Sequence, residues 1–131
     1  MENKFILLHE DKELLTKALE TDKQFALLSD AERNSIKNRL ANAELVTTAD
    51  FPNNVSRLYD VITLRNVHLR QNIQYKIVPP DERDDWKGKI SAISPFGILL
   101  MGVTKGQAIV LQTSKKKKHY VVMEVRNAMY I

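Results

Sequence analysis

The 131-residue sequence predicts an α+β protein: a short N-terminal antiparallel helical hairpin followed by an antiparallel β-sheet domain that carries one short helix. Three observations predict it. Apolar residues recur at helical spacing before residue 50 and alternate at strand spacing after it. Asp50-Phe51-Pro52-Asn53-Asn54 separates the two regimes, because proline and paired asparagines end helices and favour turns. Further on, Ser94-Pro95-Phe96-Gly97-Ile98-Leu99-Leu100-Met101-Gly102-Val103-Thr104-Lys105-Gly106 brackets one apolar stretch with turn residues and leads into the β-rich run Gln107-Ala108-Ile109-Val110-Leu111. The expected units are therefore residues 1–50, coiled-coil-like, and residues 51–131.

Phe5-Ile6-Leu7-Leu8 is too brief to type by periodicity. Behind it, Leu14, Leu15, Ala18 and Leu19 fall one turn apart, as an amphipathic helix requires, and Glu10 and Asp11 suit the positive end of its dipole. Ser29-Asp30-Ala31-Glu32 spells a capping box that opens a second helix with a seam at Ile36, Leu40 and Ala43. Residues 22–28 join the two. At the helical rise, the first helix spans about 18 Å and the second about 25 Å. Glu20, Asp22, Asp30 and Glu32 place carboxylates near the tip of this hairpin.

In the second unit, Tyr59, Ile62 and Leu64 lie in a β-rich run. Ile73, Tyr75 and Ile77 then alternate with Gln74 and Lys76, as in a half-buried strand. Pro79-Pro80 stops that strand, and the polar run 81–88 reads as a loop before a short strand, Lys89-Ile90-Ser91. Ser94 can cap a helix whose first residue is Pro95, where proline's missing N–H is not needed. Gly102 and Gly106 supply positive φ on its far side. Two closing strands, 107–113 and 119–126, are joined at 114–118.

The composition excludes several chemistries. Without cysteine there are no disulfides or thiolate metal sites, and no apolar run approaches the length of a membrane span, so a cytoplasmic location is expected. His9, His68 and His119 have no partner at metal-ligand spacing and read as surface or structural residues. Neither a glycine-rich phosphate loop nor a Gly-x-Ser-x-Gly elbow occurs. Asp81, Glu82, Asp84 and Asp85 are interleaved with Arg83 and followed by Lys87, which marks a solvated loop. No catalytic residue, metal ligand or cofactor site is assigned. The net charge of +4 divides unevenly: residues 1–55 carry seven Lys/Arg and ten Asp/Glu, residues 56–131 thirteen and six. An acidic front and a basic rear suggest different electrostatic partners. Lys115, Lys116, Lys117 and Lys118 concentrate the basic charge where it can meet phosphates or an acidic surface, although the same run also reads as a solvated turn.

The order Ser-Pro, aromatic, small residue, apolar run, Gly, strand resembles the C-terminal domain of the GreA/GreB elongation-factor superfamily. It is most similar to its Rnk-like group, named for regulation of nucleoside diphosphate kinase. Val61-Ile62-Thr63-Leu64-Arg65-Asn66 resembles that group's first sheet strand, and Tyr75-Lys76-Ile77-Val78-Pro79 its second. Ile90-Ser91-x-x-Ser94-Pro95 follows the shared spelling, and the N-terminal part with Ala43-Glu44-Leu45 before a proline-containing linker is also similar. Two positions depart: Ile93 stands where Gre factors often have an acid, and Gln107 where the superfamily usually has Asp.

The resemblance implies an FKBP-like C-terminal domain that docks on RNA polymerase at the secondary-channel rim, with Ser94, Pro95, Phe96 and Gly97 as the docking loop. It also implies a hairpin pointing into the channel, too short to stimulate transcript cleavage as Gre factors do. The expected function is non-enzymatic regulation of transcription elongation. Two alternatives remain. One is a peptidyl-prolyl isomerase using an aromatic pocket from among Tyr59, Tyr75, Trp86, Phe96 and Tyr120. The other is a DNA- or RNA-binding module that uses the lysine tip.

Overall fold

A computed structural model describes residues 5–112 and 115–127. The apolar start forms β1 (Ile6–Leu8) and passes directly into α1 (His9–Thr21). Asp22 ends α1 and caps the single-turn α2 (Lys23–Ala26), its carboxylate accepting the Phe25 N–H at 3.0 Å. Ser29 and Glu32 form the expected capping box at the start of α3 (Asp30–Ala41). Leu15, Phe25, Ile36 and Leu40 are buried, whereas Ala43 lies beyond α3 and is half-buried.

α3 is shorter than the sequence suggested, because a tertiary pairing takes over its end. Beyond Asn42 the chain extends into β2 (Glu44–Val46), which runs parallel to β1, with the Glu44 N–H donating to the Phe5 carbonyl at 2.8 Å. The 13 residues of α1 and 12 of α3 are each about 18–20 Å long.

The second part is a five-stranded sheet built from β3 (Val61–Asn66), β4 (Gln71–Val78), β5 (Lys89–Ser91), β6 (Ala108–Gln112) and β7 (Lys117–Arg126), in the order β5-β4-β3-β7-β6. Tyr59 is not part of a strand. The Asp60 carboxylate accepts the Arg57 N–H at 2.9 Å and closes a turn, which leaves Tyr59 in the left-handed region at φ 75° before β3 begins. Residue 113 of the expected strand and Ser114 of the expected turn lie outside the described residues.

The sheet is mostly antiparallel, but β5 joins β4 in parallel, with Lys76 opposite Lys89. The polar run 81–88, expected as plain loop, contains two 3₁₀ turns, Pro80–Glu82 and Asp85–Lys87, and Gly88 at φ 72°. These bring the chain back to re-enter the sheet in the direction of β4.

The last helix, α4 (Pro95–Leu100), contributes Ile98 and Leu100 to the core. Leu7, Leu15, Phe25 and Leu40 from the first part join Ile62, Leu64, Ile77, Ile93, Leu100 and Val122 from the second in a single hydrophobic cluster. Ser56 locks the connection between them. Its hydroxyl donates to the Leu100 carbonyl at 2.6 Å and accepts the Val103 N–H at 2.9 Å, and its backbone bonds Gly102 and Val103 at 2.9 Å each.

Candidate functional site

The loop from Ser91 to α4 is fixed by short-range hydrogen bonds. The Ser94 hydroxyl accepts the Gly97 N–H at 2.9 Å and donates to the Ser91 carbonyl at 2.7 Å, while the Ser91 hydroxyl accepts the Ile93 N–H at 3.2 Å. Pro95 occupies the first helical position, as its spacing predicts. Gly97 is required by contact rather than by turn geometry: a Cβ there would lie 1.8 Å from the Ser91 carbonyl oxygen. Ser94 and Gly97 thus build the loop, and the half-buried Pro95 and Phe96 give it a surface.

Phe96 reaches the inner face of the sheet. Its ring meets Tyr75 edge-on at 5.1 Å and Tyr120 at 5.4 Å, two contacts of the kind that orient aromatic clusters. These three rings, with Leu111, Arg83 and Lys118, line an open groove of about 370 Å³. Burial pushes the Tyr75 and Tyr120 phenols up, Tyr75 further through Tyr120, so both are neutral donors at physiological pH. Of the five aromatic residues singled out in the sequence, Tyr59 and Trp86 stay outside this groove.

Three of the four acidic residues proposed for the tip have local structural partners. Asp22 caps α2, Glu32 completes the capping box, and Asp30 pairs with Arg33. Glu20 is exposed. The tip does not point away from the sheet. Asp22, Gln24 and Phe25 share a cleft of about 100 Å³ with Arg83, Ile93 and Ser94, so it lies against the loop that precedes α4.

Of the lysines, Lys117 and Lys118 belong to β7, opposite Gln112 and Leu111, and Lys115 is exposed just before them. Lys116 is exposed beside it. His9, His68 and His119 sit on α1, in the β3–β4 turn and on β7. Among the described residues, no three His, Asp or Glu side chains are placed to hold a metal ion. No helix among them is long and apolar enough to cross a membrane.

The sheet and α4 fall within residues 52–127, which match the family model described as transcription elongation factor, GreA/GreB, C-term. The chain belongs to the GreA/GreB family. It is 30% identical over 99 residues to transcription elongation factor GreA of Pseudomonas aeruginosa, covering 75% of this chain and 63% of that protein. The chain therefore spans a little over three fifths of that GreA's length. A solved GreA/GreB factor from Nitrosomonas europaea superposes with a TM-score of 0.76 at 25% identity, over 96% of this chain and all of that one. Gfh1 of Thermus aquaticus shares the fold at 20% identity and TM-score 0.52, with 96% and 100% covered.

In this GreA/GreB chain the two departures are absorbed structurally. Ile93 is buried in the core, and the Gln107 side chain accepts the Thr104 N–H at 3.2 Å.

Sequence reasoning did not find the polar junction beneath α1. Asp11 lies near the buried Arg57 and Asp60, and the Tyr59 hydroxyl donates to Glu82 at 2.8 Å. Burial, followed by this hydrogen bond and the Glu82 charge, pushes the Tyr59 phenol up to about 12. These groups come from distant segments, so no local spacing signals them. Only the run Ser56-Arg57, polar residues just ahead of a strand, hints at the junction.

Proposed function

We propose that the chain is a non-enzymatic regulator of transcription, of the Rnk-like kind within the GreA/GreB family. It binds RNA polymerase at the secondary-channel rim, in the cytoplasm, through an FKBP-like C-terminal domain. The observation that carries this reading is the pre-built loop at α4. Ser94 and Gly97 hold it in one conformation, so Pro95 and Phe96 are presented to a partner with little ordering cost on binding.

Stimulated transcript cleavage is not part of this function. Helices of about 18–20 Å with capped tip carboxylates give little reach and few free acids for a metal ion. The test is capture of the chain by core polymerase, repeated with Pro95→Ala and Phe96→Ala. Wild type should be captured and the double variant should not, with unchanged circular dichroism. Equal capture of both would sink the docking reading.

One observation favours a second reading, a prolyl isomerase: the groove of Tyr75, Phe96 and Tyr120 has the aromatic walls that a proline ring prefers. A protease-free peptide isomerisation assay separates the two. Rates at background favour the polymerase reading, and Phe96-dependent acceleration favours the enzyme.

A further inference from the structure

The two edges of the five-stranded sheet are managed differently. At the β5 edge, Lys89 exchanges two backbone hydrogen bonds with Asp84, at 3.0 and 2.9 Å, so the folded-back loop covers that strand. Among the described residues no strand pairs with the outer side of β6. Sheet edges left open are normally blunted by a lysine, a proline or a bulge within the strand. β6 reads Ala-Ile-Val-Leu-Gln and has no charge or proline.

The register shows which backbone groups face outward. The Val122 N–H donates to the Gln107 carbonyl at 2.9 Å, so by the antiparallel alternation Ile109 and Leu111 bond β7. Ala108 and Val110 then turn their N–H and C=O groups away from the sheet. Ile109 is buried while Val110 is 46% exposed, giving the edge an apolar outer face.

Charge identifies the occupant. Residues 86–123 contain seven lysines and no Asp or Glu. Lys105 leads towards β6, and Lys115 and Lys117 follow it. A second copy pairing edge to edge would bring these lysines together, which like-charge repulsion disfavours. Nucleic acid phosphates match the charge but cannot extend a backbone ladder. We propose that the β6 edge binds an extended, acidic segment of a partner protein by strand addition, independently of the polymerase reading.

The probe is a fluorescent peptide of about eight residues alternating Glu and Val, long enough to span the strand, titrated against the full chain by anisotropy. Saturable binding is expected, weakening with salt and with Lys115→Gln plus Lys117→Gln. Val110→Pro removes an outward N–H without touching the β7 ladder and should weaken binding about tenfold, as loss of a backbone bond with its neighbours' alignment implies. A peptide methylated on alternate backbone nitrogens tests the same ladder without altering the protein, and should fail to bind. Equal binding of the methylated peptide, no binding of the parent, or binding only of a single-stranded oligonucleotide would overturn the proposal.

Discussion

Gly97 has no space for even one methyl group, since its Cβ position lies 1.8 Å from the Ser91 oxygen and 2.7 Å from the Ser91 carbonyl carbon. Gly97→Ala must push α4 away from β5, at about 3 kcal/mol for such overpacking. For a chain of this size that is a fall in Tm of about 10 °C, measurable by calorimetry. An unchanged Tm would mean that α4 is looser than its hydrogen bonds indicate. The cap by Ser94 was legible because donor and acceptor lie three residues apart. The need for glycine was not, because its neighbour is set by where β5 ends in space. Trp86 shows the reverse: within a polar run it suggested pocket lining, yet it is 99% exposed on a 3₁₀ turn.

Helices were legible where both ends carry chemistry. The Ser29 and Glu32 box opens α3 as read, and Ser29→Ala removes the acceptor of the Glu32 N–H at 3.2 Å. It should cost about 1 kcal/mol. Amide exchange in the first turn of α3 should quicken while that of β3 and β7 is nearly unchanged; uniform quickening would show that the cap supports the whole fold instead. Strands were legible from β-rich runs, including Lys89–Ser91 at its observed bounds. Their partners were less so. Neither the β1–β2 pair nor the parallel β4–β5 pair has a local signature, and the β1–β2 pairing is what shortened α3. Of the carboxylates read at the tip, Asp22 and Glu32 are engaged in caps and Asp30 in an ion pair with Arg33, which makes these three poor candidates for a distant ion.

For the molecule as a whole, the single core makes the junction under α1 a determinant of stability. Burial, with Glu10 adding to it, raises Asp11 from 3.8 to about 6, Arg57 opposing and Asp60 reinforcing the rise. A carboxyl raised on folding contributes stability below about pH 3.8, and that contribution is lost as pH rises through about 6. Asp11→Asn should therefore raise Tm more at pH 7 than at pH 4, and an equal change at both would remove the junction from the account. Strands occur on both sides of residue 50, since β1 and β2 precede it, and the apolar spacing of each half could not reveal that Leu15 and Ile62 share one core.

The position of β3 in the middle of the sheet has a consequence for synthesis on the ribosome. β3 is made early and finds β4 at once, but its other neighbour, β7, is among the last described residues to emerge. Until then the nascent chain has a hydrophobic central strand half paired, and Ser56 waits for Leu100 and Val103. Such long-range closure slows folding and exposes intermediates to aggregation. The sheet closes only once β7 has joined β3, which makes that pairing the step on which nascent-chain quality depends.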